Sequence, residues 1–124
     1  MYKYLVLAVA SLFGVTFAAT AQQAAILGKW RTSDNDIIEF YPAGAVFGAT
    51  QISTELEKDK KYNGKVVARD LKQVNPLEFD GTVIDPADNK VYTGRFIVAT
   101  DKNSLNLKIK WGFLTHNETW QRVK

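Results

Sequence analysis

Apolar and polar residues alternate with a period of two along most of the chain. The clearest example is the segment 105–111, whose apolar positions are Leu105, Leu107, Ile109 and Trp111. A period of two places these side chains on one face of a β-strand, whereas a helix would spread them around its circumference. The preceding segment, 91–99, is rich in β-branched and aromatic residues, which favour strands. The pattern therefore indicates an all-β protein.

Eight segments of this kind follow one another, each bounded by residues that favour turns. They span residues 28–32, 37–41, 46–52, 64–71, 78–84, 91–99, 105–111 and 116–123. Most connections are short, and short connections predict antiparallel neighbours because parallel strands require long crossovers. Eight such strands can close into a small up-and-down barrel, which leaves no exposed sheet edge. A β-sandwich is the alternative.

The longest connection, 53–63, contains a cluster of acidic and basic residues. A one-turn helix and a solvated loop both fit this segment. A run of mixed charges is typical of a solvated face, and we interpret it in that way.

Residues 1–21 have the pattern of a signal peptide. Lys3 supplies a positive charge, residues 5–17 carry no charge, and Ala19-Thr20-Ala21 provides the small residues that a signal peptidase recognises. A membrane anchor is the alternative, but the apolar core is shorter than the roughly 20 residues that span a bilayer. We therefore expect a cleaved signal peptide and a single domain, 22–124, exported to the periplasm or the extracellular space.

The composition excludes several kinds of site. The chain has no cysteine and one histidine, which excludes disulfides and leaves transition metals without their usual ligands. The formal net charge is +3, and removal of Lys3 would lower it by one. This mild charge does not indicate a nucleic-acid partner, which requires a clustered basic face. We expect no metal and no cofactor, and once processed the protein is expected not to span a membrane; the oligomeric state stays open.

The residues with catalytic potential form no recognisable catalytic set. His116 lacks a neighbouring nucleophile motif and is interpreted as a surface histidine beside Asn117. Asp85 and Asp88 flank Pro86 in a turn, where aspartates cap backbone groups. A weak Ca²⁺ site is the alternative, but the spaced acidic ligands and the distant Glu of an EF-hand are missing. We therefore expect a protein that is not an enzyme.

Three motifs spread along the chain resemble those of one family. Gly28-Lys-Trp30 opens the first strand, Asp85-Pro86-x-Asp88-x-Lys90-x-Tyr92 surrounds a turn, and Thr119-Trp120-x-Arg122 ends the last strand. In order and spacing they resemble the family catalogued as domain of unknown function 2147, whose members are small exported bacterial proteins. The Gly-x-Trp opening with an arginine in the last strand is also similar to the lipocalin and wider calycin group.

The resemblance to calycins implies a calycin-like barrel and a role for three residues. Trp30 would close one end of the barrel, Arg122 would stack on its ring, and Gly28 would allow the backbone to approach closely. A guanidinium over an indole contributes roughly 0.5–2 kcal/mol, depending on burial. These residues are therefore expected to be structural.

The aromatic and apolar residues of the strands are the remaining candidates for a site. The candidate barrel interior consists of Tyr41, Tyr92, Phe96, Leu107, Ile109 and Trp111. These side chains either fill the core, for which eight-stranded barrels are just wide enough, or line a small apolar pocket. By analogy of fold we expect an exported protein that binds a small apolar or amphipathic ligand. The alternative is an envelope structural or protein-interaction module with a filled barrel and no ligand.

Overall fold

The computed structural model describes residues 23–124, which form eight strands and one 3₁₀ helix. The strands are β1 Gly28–Arg31, β2 Asp36–Ala43, β3 Val46–Thr54, β4 Val66–Asn75, β5 Glu78–Ile84, β6 Val91–Val98, β7 Ser104–Trp111 and β8 Leu114–Arg122. The 3₁₀ helix, Glu57–Tyr62, lies between β3 and β4. The predicted signal peptide, residues 1–21, lies outside the described residues.

The strands form a closed antiparallel barrel. Each strand pairs with the next one along the chain, and β1 pairs with β8. The predicted up-and-down barrel is thereby confirmed, and the sandwich is excluded. The strand ends differ in detail from the sequence pattern: β4 continues through a predicted turn to Asn75, and β8 begins at Leu114.

Aromatic side chains fill the half of the barrel that lies nearest the end of β8. Phe40 packs edge-on against Phe96 with ring centroids 5.3 Å apart, and Phe96 packs against Trp120 at 5.7 Å. Phe47 and Phe79 make a similar contact at 5.6 Å. Edge-to-face ring pairs are favourable beyond the area they bury. This half of the interior is therefore a packed core.

Trp30 closes the barrel at the end where β1 begins and β8 ends. It is fully buried and pairs in register with Arg122 of β8. The Arg122 guanidinium lies over the indole, 4.2 Å from the ring centroid, and the indole N–H donates to the Ile26 carbonyl at 2.9 Å. Gly28 has a φ of 112°, and a Cβ there would lie 3.1 Å from Arg122 Nη1. The structure thus brings Gly28, Trp30 and Arg122 together at one end.

The Arg122 side chain also binds the backbone on both sides of β8. It donates to the carbonyls of Lys102 at 2.6 Å, Leu27 at 3.0 Å and Ala25 at 2.7 Å. Burial lowers the pKa of this guanidinium from its ordinary value, yet an arginine keeps its charge in a protein. These bonds connect the segment before β1 and the β6–β7 turn to β8.

We call the opposite end of the barrel the mouth. Because consecutive strands are antiparallel, every second connection lies at this end. The mouth consists of residues 32–35, 55–65, 85–90 and 112–113. The 3₁₀ helix within it has no buried residue, so the charged segment 53–63 combines both predicted possibilities, a short helix on a solvated face.

Candidate functional site

A cavity of about 260 Å³ opens into the barrel interior from the mouth. Its buried apolar wall consists of Ile38, Phe96, Leu107, Ile109 and Trp120. The polar residues that line it include Asp34, Asp36, Gln51, Asp85 and Glu118. The cavity therefore places polar groups next to an apolar surface inside the barrel.

A second cavity, of about 220 Å³, adjoins the first. The two share Val83, Asp85, Ile109 and Glu118. The second is also lined by Tyr92, Trp111 and His116. We refer to the two cavities together as the mouth pocket.

A larger depression, of about 450 Å³, lies on the outer surface of the barrel. Among the residues that line it, Thr93, Arg95, Lys108 and Lys110 alternate with inward-facing residues of β6 and β7. The Arg95 guanidinium there binds the Asp80 carboxylate at 2.7 Å. Because this depression lies on a solvated charged face, we regard the mouth pocket as the candidate site.

Glu118 is the centre of a hydrogen-bonded group at the mouth pocket. Its Oε1 accepts a hydrogen bond from Trp120 Nε1 at 2.9 Å, and its Oε2 lies 3.2 Å from His116 Nε2. The His116 ring is stacked on Trp111, with centroids 5.7 Å apart and planes 9° from parallel. The ring centroids of Trp111 and Tyr92 lie 6.0 Å apart. One carboxylate therefore organises a row of aromatic rings.

Gln51 is a buried amide on the opposite side of the mouth pocket. It is 4% exposed, which is unusual for this side chain. Its amide nitrogen donates to the Asp59 carbonyl at 3.3 Å and to Asn63 Oδ1 at 3.1 Å. The connection between β3 and β4 thus fixes the amide, and its carbonyl oxygen remains for other partners.

Asp36 lies at the same side of the mouth pocket, at the start of β2. Thr54 Oγ1 donates to its carboxylate. Burial raises the pKa of Asp36; the Thr54 hydrogen bond opposes the rise, and the negative charges of Asp34, Asp59 and Glu118 add to it. The mouth pocket is therefore a place where negative charges lie close together.

Comparisons with known proteins place the chain in a family. The model of DUF2147, described as "Uncharacterized protein conserved in bacteria", matches residues 28–122. The chain belongs to the DUF2147 family. The resemblance drawn from its motifs is thereby confirmed.

One solved structure shares the fold of this DUF2147 barrel. It is described as "Protein HP1028 from the human pathogen Helicobacter pylori belongs to the lipocalin family". The two are 21% identical, the match covers 82% of this chain and 85% of the other, and the TM-score is 0.65. At this identity the similarity establishes a lipocalin-like fold. A search among curated proteins found no match.

The structure places most of the residues of the predicted interior at the mouth pocket of the DUF2147 barrel. Phe96, Leu107 and Ile109 lie on the inner face and line it. Tyr92 is half-buried in the second cavity, and Trp111 is 48% exposed at its rim. Trp111 keeps the parity of β7 but lies in its last position, where the barrel wall ends.

The predicted interior position of Tyr41 is wrong. Its neighbour Phe40 is buried inside the barrel, and adjacent residues of a strand point to opposite faces. Tyr41 therefore lies on the outer face, paired in register with Gly48, with its hydroxyl 3.5 Å from Thr50 Oγ1. It does not belong to the mouth pocket.

The turn motif has the expected local geometry. Asp85 Oδ1 accepts from the Ala87 N–H and Asp88 Oδ1 from the Lys90 N–H, both at 2.9 Å. Asn89 has a φ of 63°, which asparagine tolerates better than most residues. Asp85 and Pro86 also line the first cavity, so this turn forms part of the mouth.

His116 and Glu118 are site residues that the sequence interpretation missed. Both occupy inner positions of β8, opposite Ile109 and Leu107. Counting back by two from the buried Trp120 would have found them. His116 is therefore a residue of the pocket rim, and the description of it as a lone surface histidine is incomplete.

Two other features are absent from residues 23–124. That part of the chain holds no group of three or more histidine or carboxylate side chains able to bind a metal ion. It also holds no helix with the length and apolar character that crossing a membrane requires.

Proposed function

We propose that this DUF2147 protein binds a small amphipathic ligand in the mouth pocket. The observation that carries the proposal is a cavity of about 260 Å³ inside the barrel, with a buried apolar wall and polar side chains at its opening. Binding sites for small molecules have this composition, a mainly apolar lining with a few polar groups. The ligand enters with its polar part facing the mouth.

The polar residues favour an amphipathic ligand over a purely apolar one. A buried polar group is costly unless it forms hydrogen bonds. Gln51 and Glu118 line the same cavity as the buried apolar side chains of Ile38, Phe96 and Leu107. A ligand with a polar head and an apolar body supplies partners for both kinds of surface.

The size of the cavity limits the ligand. Drug-sized molecules occupy pockets of roughly 300–1,000 Å³, and the packed aromatic half of the barrel leaves only the mouth half open. The proposed ligand is therefore a small molecule that fits the mouth half of the barrel.

We further infer that the protein binds without catalysis. The hydrogen-bonding partner of His116 is Glu118, and its ring stacks on Trp111. A hydrolytic triad would need a hydroxyl or thiol nucleophile next to the histidine. The contacts of His116 instead support an orienting role in the pocket wall.

We also propose that the protein acts after export, in the periplasm or outside the cell. The signal-peptide pattern of residues 1–21 supports this. N-terminal sequencing of exported protein should begin at or near Gln22; a sequence that begins at Met1 would contradict export by cleavage.

The proposal is tested by filling the cavity. Val83 lines both parts of the mouth pocket, and Val83→Phe would extend a ring into it. The matched control is Val74→Phe on β4, where the valine is 47% exposed. Native mass spectrometry of protein purified from its own host measures a bound mass, and Nile red fluorescence measures the open apolar site.

Wild type and Val74→Phe should carry a bound mass and enhance Nile red fluorescence, and Val83→Phe should do neither. Thermal melting verifies that Val83→Phe is folded, because overpacking costs about 1–3 kcal/mol. The same signals in all three proteins, or in none, would contradict the proposal.

A second function is favoured by one separate observation. The β7–β8 turn carries an exposed apolar group, in which Phe113 is 95% and Leu114 57% exposed. Exposed apolar patches mark interaction surfaces. In that case the protein is an envelope interaction module. Sedimentation of wild type and Phe113→Ser tests self-association through this turn, and Phe113→Ser should leave Nile red binding unchanged.

A further inference from the structure

The charges at the mouth pocket are all of one sign. Carboxylates of Asp34, Asp36, Asp85 and Glu118 line it. Neither lysine nor arginine occurs among the described residues that line its two cavities. The whole chain carries a formal charge of +3, so the negative charge of the pocket lining is a local feature and runs against the net charge.

Aromatic faces border these carboxylates. Tyr92 and Trp111 contact each other at 6.0 Å, Trp111 stacks on His116, and all three line the cavity that contains Glu118. The face of an aromatic ring is the negative part of its quadrupole and attracts cations. The rings therefore attract a cation, as the carboxylates do, but through a different interaction.

Gln51 adds a hydrogen-bond acceptor to the lining of the first cavity. The residue is 4% exposed. Its amide nitrogen is engaged by Asp59 and Asn63, which leaves the carbonyl oxygen to accept from a donor in the cavity. An N–H donor suits this atom, and an anionic head group does not.

From these three features we infer that the ligand is cationic, an amphipathic amine whose ammonium group lies among Asp36, Gln51 and Glu118. This inference rests on the proposed function, since it specifies the ligand of the same pocket. The apolar body of the amine packs against Leu107 and Ile109. An anionic head group would instead meet the carboxylates of Asp36, Asp85 and Glu118.

The raised pKa of Asp36 agrees with this arrangement. Burial is the main cause of the rise and nearby negative charges add to it; an ammonium group at the same place would oppose the effect of those charges. The carboxylates that line the pocket would attract a cation inside it, an effect that salt weakens.

The test compares three probes with the same eight-carbon chain: octylammonium, octanol and octyl sulfate. Isothermal titration calorimetry of the full-length barrel measures their affinities at low ionic strength. Octylammonium should bind at least about tenfold more tightly than octanol, because charge-assisted hydrogen bonds to the carboxylates add to the same apolar contact. Octyl sulfate should bind most weakly, and added salt should weaken octylammonium alone.

The pocket carboxylate is tested with Glu118→Gln, which keeps an acceptor for Trp120 Nε1. This variant should lose about tenfold in octylammonium affinity and little in octanol affinity. Asp36→Asn gives the same comparison from the other side of the pocket. The control is Asp101→Asn in the β6–β7 turn at the opposite end, where the Asp101 carboxylate accepts from the Asn103 N–H; it removes one negative charge and should leave all affinities unchanged.

The outcomes separate the two proposals. If octanol or octyl sulfate binds as tightly as octylammonium, binding stands and the cationic ligand is overturned. Thermal melting verifies that Glu118→Gln and Asp36→Asn are folded. If the folded variants keep the wild-type preference for octylammonium over octanol, the assignment of these two carboxylates to the ammonium group is overturned. Binding of none of the three probes to the folded wild type would overturn the proposed function and this inference with it.

Discussion

Glu118 positions two side chains of its own strand, β8, and one of them contacts β7. Its carboxylate holds the Trp120 indole and lies beside His116, and the His116 ring supports Trp111 of β7. A carboxylate in such a position has a second consequence. It adds its negative charge to the surroundings of Asp36 across the pocket.

Asp36 carries the first prediction, that Asp36→Asn stabilises the protein at neutral pH. Because burial raises the pKa of Asp36 in the folded state, its protonated form favours folding. The stability that this group contributes is complete below the pKa of the unfolded chain and is lost as the pH rises through the folded-state value. Asparagine keeps an acceptor for Thr54 and has no charge to bury.

The free energy of unfolding is measured in urea at pH 7 and at about pH 3, which is below the ordinary pKa of an aspartate. Asp36→Asn should exceed wild type at the higher pH, and the two should converge at the lower pH. Asp101→Asn, with its exposed carboxylate, is the control. An asparagine variant that is equally destabilised at both pH values would show that the Asp36 hydrogen bond outweighs its charge.

The same residues show where inference from sequence fails at this scale. The period of two in β7 correctly places Leu107 and Ile109 inside the barrel. Phe40 and Tyr41 are adjacent aromatics, so their types do not reveal which one faces inward. His116 and Glu118 are polar, and polarity suggests a solvated position even where the parity of Trp120 assigns an inner one.

At the scale of the element, strand number and order follow from the sequence because the connections are short and the turn residues are clear. Irregularities of pairing do not follow in this way. The register of β3, β4 and β5 shifts at several points, including the stretch from Arg69 to Lys72. Asp70 there has a φ of 53°, a conformation that its sequence neighbours do not signal.

Gly81 on β5 is the residue that accommodates this irregular stretch. A Cβ at Gly81 would lie 2.6 Å from the Asp70 carbonyl oxygen and 2.9 Å from that of Arg69. Both contacts are with backbone, which cannot rotate away. We therefore predict that Gly81→Ala costs about 1–3 kcal/mol, the usual range for overpacking.

The control is Gly44→Ala, where a Cβ meets nothing within 4 Å but φ is 73°. It should cost about 1–2 kcal/mol from backbone conformation alone. Urea midpoints give both values, and amide exchange of β4 separates the causes, since only Gly81→Ala should increase exchange there. Unchanged exchange in β4 would contradict the steric explanation.

At the scale of the whole molecule, the barrel has two unlike halves. Aromatic rings fill the half next to Trp30, and the mouth half contains a pocket bordered by carboxylates. The sequence left a filled core and a small pocket as alternatives, and each describes one half. The boundary between them depends on which polar residues of β8 face inward, which composition does not reveal.

The barrel is closed by a short pairing between its first and last strands. β1 is four residues long and pairs with β8 at two positions, Trp30 with Arg122 and Arg31 with Gln121. Without this seam between β1 and β8, both strands would be free sheet edges. Two paired positions make the seam weak. The side chains of Trp30 and Arg122 therefore stabilise the seam.

The last prediction is that these two residues are energetically coupled. Trp30→Ala should destabilise by roughly 3–5 kcal/mol through loss of a fully buried indole. Arg122→Ala should cost about 1–3 kcal/mol, because it removes the cation–π contact and leaves three carbonyls without their donors. The double variant should fall short of the sum by at least about 0.5 kcal/mol, the lower limit for residues in contact.

Arg122→Lys is the matched control: it keeps the charge but cannot reach the carbonyls of Ala25, Leu27 and Lys102 together, so it should recover less than half of the loss. Urea unfolding of the four variants measures the cycle. Additive losses, or full recovery by lysine, would show that Arg122 contributes only its charge and that backbone pairing closes the barrel.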